Sequence, residues 1–188
     1  NLEDWTPTEI GEVKSEIAEG LVWWEDMATK HYPEMPLSFT VDFSFADAPF
    51  NTQYEPISRS SWDDTLWISD FLIAEDLRTT ASVNEDLQVW NHSQREADDY
   101  DWAFTIFMVD SSASLSGSFT NGASGYAYLG GPRIVMTYDN GGWGIDGLSM
   151  VTSHEMGHIF TALDEYPGAS SYYSRSGYYD IQNLNAID

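Results

Sequence analysis

The sequence predicts an α/β domain built around a mixed sheet. Three patterns predict it: helical periodicity behind capping boxes, strict alternation in short aromatic and β-branched runs, and the interleaving of the two along one chain. With 188 residues and 42% hydrophobic content, residues 1–188 fit a single domain with a sizeable core.

The elements follow in order. Thr6-Pro7-Thr8-Glu9 is a capping box with Pro at the first helical position. Ile10, Val13, Ile17, Leu21, Trp24 and Ala28 then recur at three- and four-residue steps. They predict an amphipathic helix that ends before Pro33. Leu37, Phe39, Val41, Phe43 and Phe45 alternate with polar residues and predict a strand with one face on the core. Residues 46–60, with Pro49 and Pro56, predict a loop. A second helix is expected over 62–77. A third starts at the capping box Ser82-Val83-Asn84-Glu85 and runs to about Ala97. Residues 102–109 are apolar on both faces, as a central strand is. Residues 111–125 are rich in Ser and Gly and predict irregular chain. Tyr126-Ala127-Tyr128-Leu129 and Ile134-Val135-Met136-Thr137-Tyr138 are two more short strands, split by Gly130-Gly131-Pro132. After a Gly-rich loop at 139–144, Asp146 is the expected N-cap of a last helix carrying Leu148, Val151, Met156 and Ile159. No internal repeat and no dividing linker interrupts the chain.

Composition removes several function classes. Seven Lys and Arg face 31 Asp and Glu, a net charge of −24. Such a surface repels phosphate backbones and anionic membranes, so neither nucleic acid nor a membrane is an expected partner. No run of eighteen apolar residues suggests a membrane span. Eight Trp, 11 Tyr and 9 Phe exclude a disordered acidic tail. Cysteine is absent, which excludes disulfides and thiolate chemistry. The chain opens at Asn1-Leu2-Glu3-Asp4 and stops at Asn185-Ala186-Ile187-Asp188. Those ends suggest a processed product or an excised piece of something longer, and the acidic surface suits a secreted, extracellular setting or a high-salt one.

One motif is specific. His154-Glu155-Met156-Gly157-His158 lies on the last predicted helix. Four residues advance a helix by about 400°, so two imidazoles project about 40° apart, one turn apart. Both ring nitrogens then reach one ion, with zinc the expected metal. Glu155 sits beside the first His and serves as a general base toward water activated by the metal. A catalytic zinc commonly takes a third protein ligand. In a continuous helix Glu165 would lie about 10 Å beyond His158, and Asp164 would point about 100° away. The third ligand therefore requires a chain reversal near 160–163, and Pro167 and Gly168 agree with an early helix end. Asp164 is the favoured ligand, six residues past His158. Glu165, or a residue in 169–188 or beyond the chain, is the alternative. A plain surface acidic pair is disfavoured, because acids at a helix C-terminus oppose the helix dipole.

The stretch HEMGHIFTALD resembles the metzincin zinc-peptidase signature HExxHxxGxxH/D. Its Asp-ending form is similar to that of the small bacterial snapalysin-type peptidases. HEMGHIFTALDEY is also similar to a segment of the bacterial IgA-cleaving metallopeptidases, with one residue fewer before the Asp. The resemblance implies a zincin-like mixed twisted sheet with long helices and an active-site helix carrying HExxH. It implies His154, His158 and Asp164 as zinc ligands and Glu155 as the general base. The likeness is sharp over residues 154–166 and topological over 37–153. Two departures follow. Thr161 stands where the metzincin turn has Gly; a non-Gly residue disfavours positive φ, so a differently built turn is expected. All six Met (27, 35, 108, 136, 150 and 156) precede Asp164, so a Met-turn is expected only beyond this chain, with the C-terminal lobe short or missing.

Weaker signals remain. Tyr126, Ala127 and Tyr128, within the predicted edge strand 125–130, offer a place for an extended peptide to pair; an ordinary sheet edge is the plain alternative. Tyr166 is placed to donate a hydrogen bond to a developing oxyanion, or simply to pack after the helix. Asp98-Asp99-Tyr100-Asp101 and Asp139-Asn140-Gly141-Gly142 offer oxygen ligands for calcium without matching an EF-hand loop. Asp63-Asp64 supplies first-turn helix acids. His31 and His92 are expected to be solvated. Trp23-Trp24 is expected as a core residue with a half-buried neighbour. The expected function is a zinc metalloendopeptidase acting on a protein or peptide substrate. The alternative is a zinc-containing binding or adhesion module with a vestigial site.

Overall fold

The structure is a computed structural model that describes residues 5–184. The two chain ends read above, residues 1–4 and 185–188, lie outside the described residues. Four helices are present: α1 Pro7–His31, α2 Asp64–Ala74, α3 Val83–Asp98 and α4 Leu148–Ile159. Five strands accompany them: β1 Thr105–Val109, β2 Gly125–Ala127, β3 Arg133–Thr137, β4 Arg175–Ser176 and β5 Ile181–Gln182. The architecture is mixed α/β, as expected. The main sheet has only three strands, in the order β1-β3-β2, with β1 parallel and β2 antiparallel to β3.

Period-two alternation explains the layering. On β3, Ile134 and Met136 point to one face and join Val13, Ile17 and Leu21 of α1 and Leu148, Met156 and Ile159 of α4. Val135 points to the other face and joins Trp67, Ile68 and Leu72 of α2 and Leu87 of α3. β1 divides in the same way, Ile106 and Met108 to the first cluster, Phe107 and Val109 to the second. The sheet therefore separates two helix pairs. Its middle strand is β3, buried at all five positions. The fully apolar run at 102–109 instead yields β1, an edge strand that starts only at Thr105.

The capping box at the start of α1 forms in both directions between Thr6 and Glu9. Three helices end in the same way, with a residue at positive φ and a six-to-one backbone bond. These are Asp76 with Leu77 N–H to Leu72 O, Asp99 with Tyr100 N–H to Arg95 O, and Thr161 with Ala162 N–H to Gly157 O. The first of these cuts α2 short of the expected 77.

Two expectations are corrected. Residues 37–45 form no strand. Phe39 and Phe43 still pack on the α1–α4 core and Phe45 on Phe71 and Trp90. The backbone, however, meets side chains rather than a ladder: Phe39 N–H donates to Glu25 and Ser44 N–H to Asp42. Alternation records one apolar face and cannot supply the missing neighbour strand. Asp146 does not cap α4; it lies in a 3₁₀ turn, Ile145–Gly147. The free N–H of Ser149 is met from another helix, by Glu16 of α1 at 3.1 Å. Asp64 stands in the first turn of α2, as expected. It is buried with Arg133, whose Nε and Nη2 donate to its Oδ2 at 3.1 and 2.8 Å. Arg133 also bonds Asn84 and stacks on the Tyr128 ring, 3.9 Å to the centroid. Its pair is fully satisfied, which a buried charge requires.

Asp86 is the second buried carboxylate of this layer. Its oxygens meet Thr79 N–H, Thr80 N–H, the Thr79 hydroxyl and Arg78 Nε. Burial acts to raise its pKa; the Thr79 and Thr80 donors outweigh that and hold it below the ordinary carboxylate value. A folded-state pKa below the unfolded one means stability present above the unfolded pKa, about 4, and lost as the pH falls further. In urea unfolding, Asp86→Asn is expected to be less stable at pH 7 and to lose less stability than the unsubstituted protein between pH 5 and pH 2. Among the described residues no helix is long and apolar enough to cross a membrane.

Candidate metal centre

Helix α4 carries the site, and α1 fixes α4. The two cross at Gly20, where an added Cβ would lie 2.7 Å from Ser149 O; only Gly permits that approach. Trp24 Nε1 donates to Ser153 O at 2.9 Å and Ser153 Oγ to Gly20 O at 3.1 Å. On the opposite side, Gly130 N–H of the β2–β3 turn donates to His158 O at 2.9 Å.

The helix then stops within one residue of the motif. Phe160 is the C-cap and Thr161 takes φ +72°. Thr161 N–H bonds His158 O, and Ala162 N–H bonds Gly157 O. Those two bonds define a Schellman reversal, usually closed by Gly. The turn is thus left-handed despite the β-branched residue, where a different construction was expected from Thr161. Left-handed backbone at a non-Gly residue costs about 1–2 kcal/mol, and the bonds of Phe160, Thr161 and Ala162 N–H to Met156, His158 and Gly157 O hold it there.

The reversal brings Asp164 back over the helix. Its Oδ1 lies 3.1 Å from His154 Nε2 and 3.4 Å from His158 Nε2. The imidazole centroids are 4.8 Å apart, and one ligand atom from each of the three residues falls within 4.8 Å of the other two. Among the described residues this is the only group of three or more His or acidic side chains so placed. His158 Nδ1 lies 2.8 Å from Ala162 O; that bond leaves Nε2 for the cluster. Burial, and then the His158 imidazole, hold His154 below the usual His pKa, while Asp164 pulls it the other way. A neutral imidazole is the form that binds a metal.

Glu155 is buried beside this group, with Oε2 4.0 Å from His158 Nε2. Burial pushes its carboxyl up to about 7; the His158 imidazole and the Ala127 N–H act downward, and the Asp164 carboxylate upward. Oε2 makes no hydrogen bond among the described residues. The site therefore holds a carboxylate with an unused, inward oxygen next to three convergent donors.

The strand β2 runs alongside. Residue 126 and the flanking residues 124 and 128 bond to β3 and its continuation, as the register, Thr137 N–H to Ser124 O and Tyr128 N–H to Arg133 O show. Gly125 and Ala127 therefore turn their backbone groups to the open edge, where the Ala127 N–H meets Glu155. The edge belongs to the backbone alone. The Tyr126 hydroxyl lies 3.1 Å from Ser61 O and from Asp64 Oδ2, in the core, and Tyr128 is past the strand under Arg133.

A cleft of about 670 Å³ opens against the two imidazoles, walled by Trp23, Trp24, Met150, Leu163 and Tyr166. Tyr166 is half exposed, its ring 6.0 Å from that of His154. Glu165 points elsewhere and accepts the Leu184 N–H at 2.8 Å. The acid-rich stretches at 98–101 and 139–142 gather no three acidic ligands among the described residues; Asp99 ends α3, and Asp139 accepts the Ser111 hydroxyl. Two contributors escaped the sequence: Trp23 and Trp24 as cleft walls, and Asn183, whose amide reaches Asp164 O. Comparison with known proteins finds no match: no family model, curated protein or solved structure is significantly similar to the chain.

Thr161→Gly is expected to stabilise the protein by about 1 kcal/mol, because relief of left-handed strain in a β-branched residue exceeds the added chain entropy of Gly. Chemical unfolding measures it; a loss of stability would show that the Thr161 side-chain packing outweighs the strain.

Proposed function

We propose that the protein is a zinc-dependent endopeptidase of zincin-like build, in which His154, His158 and Asp164 hold the metal and Glu155 moves the proton. The observation that carries this is the convergence of three ligand atoms within 4.8 Å beside a buried carboxylate with an unused oxygen. Two imidazoles and one carboxylate are a donor set that suits zinc and leaves a position open. When bound, zinc supplies Lewis acidity, which lowers the pKa of water and polarises a carbonyl.

The chain's own residues supply the rest. Glu155 accepts a proton from water at Oε2 and returns it to the leaving amine. The Gly125 backbone and the Ala127 carbonyl, on the edge of β2 away from β3, accept an extended peptide by strand addition, while the Ala127 N–H stays with Glu155. The Tyr166 hydroxyl, above the cleft, is the donor for a developing oxyanion. An extended protein or peptide is the substrate that these groups fit, and the charge of −24 disfavours nucleic acid. Support for the zincin-like reading comes from a short edge strand antiparallel to its neighbour and beside the HExxH helix. Among the described residues a two-stranded hairpin, β4–β5, follows α4.

Chelator competition is expected to show zinc affinity falling more than about 100-fold in Asp164→Ala, beyond what a supporting residue costs, and far less in Glu165→Ala. The reverse order would move the third ligand. With zinc present, Glu155→Gln is expected to lower casein cleavage at least about 100-fold while zinc content stays unchanged. Equal inertness of both proteins, each holding one zinc, would favour the binding module over the peptidase.

A further inference from the structure

We infer that Asn183 is a positioning residue for Asp164, so that the hairpin segment 175–184 works as a strap holding the third ligand over the helix. The inference rests on the reading that His154, His158 and Asp164 bind zinc.

The Schellman turn at Thr161 reverses the chain but does not place Asp164. No ladder contains residues 162–166, so the backbone there needs another anchor. Asn183 provides it. Its Nδ2 donates to Asp164 O at 2.7 Å and to Ser171 O at 3.1 Å, which uses both amide hydrogens. Its own N–H donates to Ser174 O at 2.7 Å. The next residue repeats the link, Leu184 N–H to Glu165 Oε1 at 2.8 Å. At the hairpin turn, Gly177 abuts Thr161: an added Cβ would lie 2.6 Å from Thr161 Oγ1. The strap thus touches the reversal, the ligand and the residue after it.

Burial singles out Asn183. It is 3% exposed, whereas Tyr178, Tyr179, Ile181 and Leu184 around it are more than half exposed. A hairpin with two residues per strand has little stability of its own. Asn183, bonded through its side-chain amide and its backbone N–H, is its anchor, and that anchor ends on the backbone of a metal ligand. Ligand placement must hold within about 0.5 Å for a metal site to keep its affinity. An Asn that merely closed the 171–183 loop would leave that affinity alone.

Asn183→Asp keeps the volume and removes the two donors; Asn183→Ala removes both. Zinc affinity by chelator competition is expected to fall about 10- to 100-fold in each, with folding followed by thermal unfolding of the metal-free proteins. Affinity within twofold of the unsubstituted protein in a folded Asn183→Asp variant would overturn the inference. The unsubstituted protein gives an independent reading by hydrogen exchange. Added zinc is expected to slow exchange at the Asn183 and Leu184 amides. Protection confined to 154–164, with 174–184 unchanged, would overturn it as well. No zinc bound to the unsubstituted protein would instead remove the metal reading beneath it.

Discussion

A helix cannot bring a third ligand to an ion held at i and i+4, so the site depends on a reversal within six residues of His158. An uninterrupted α4 would carry position 164 about 9 Å past His158. The chain meets that constraint with a left-handed Thr161, whose backbone bonds close the reversal. The two other left-handed helix ends, those of α2 and α3, use Asp at the equivalent place, a residue whose short polar side chain tolerates left-handed backbone. A β-branched residue there is more strained, and strain of this kind persists only where surroundings over-determine it. The surroundings here are α1 on one side of the helix, the β2–β3 turn on the other, and the hairpin turn at Gly177 above.

Everything else in the fold sets the height and tilt of α4. The close approach at Gly20, the Trp24 and Ser153 bonds and the Glu16 cap tie the helix to α1 along most of its length. The sheet supplies Ile134 and Met136 as its floor. Behind the sheet, Arg133 and Asp64 lock β3 to α2, and Tyr126 and Tyr128 of the β2 segment close around that pair. The edge strand that faces Glu155 is therefore anchored by an ion pair on the far face. Breaking one partner of such a pair costs about 3–5 kcal/mol, enough to disturb the edge and with it the Ala127 N–H.

How much of this was legible in the sequence follows from which interactions are local. Capping boxes, the 3.6-residue period and the four-residue His spacing are local, and α1, α3 and the helix of the motif lie where the pattern places them. Helix geometry alone demanded the break before Asp164 and excluded Glu165 as a co-ligand on a continuous helix. What depended on partners far along the chain was not legible. Phe39, Phe43 and Phe45 alternate as a strand does, yet only a neighbour decides whether a ladder forms. Asp64 reads as a helix acid until Arg133, 69 residues on, is brought beside it. A lone Arg opening an otherwise apolar strand was the available signal. Asn183 carried none, since an Asn near a hairpin is ordinary turn chemistry.

The charges in the site pull against one another in a way that a divalent cation would resolve. Two carboxylates, Glu155 and Asp164, lie beside two imidazoles, and the imidazole of His154 is held toward neutrality by burial and by His158. That leaves the His154 side of the site short of positive charge. Glu155 answers by binding its proton more tightly, driven first by burial and also by Asp164. Arg133 is committed to Asp64 and Arg78 to Asp86, on the opposite side of the sheet, and Arg175 of the hairpin pairs with Asp180. A cation held by His154, His158 and Asp164 would replace that missing charge and reverse the local bias, since a bound metal is commonly the largest charge in its site. The same ion would favour the ionised form of Glu155, the form a general base needs. Ligand set and base are thus coupled electrostatically as well as by sequence neighbourhood.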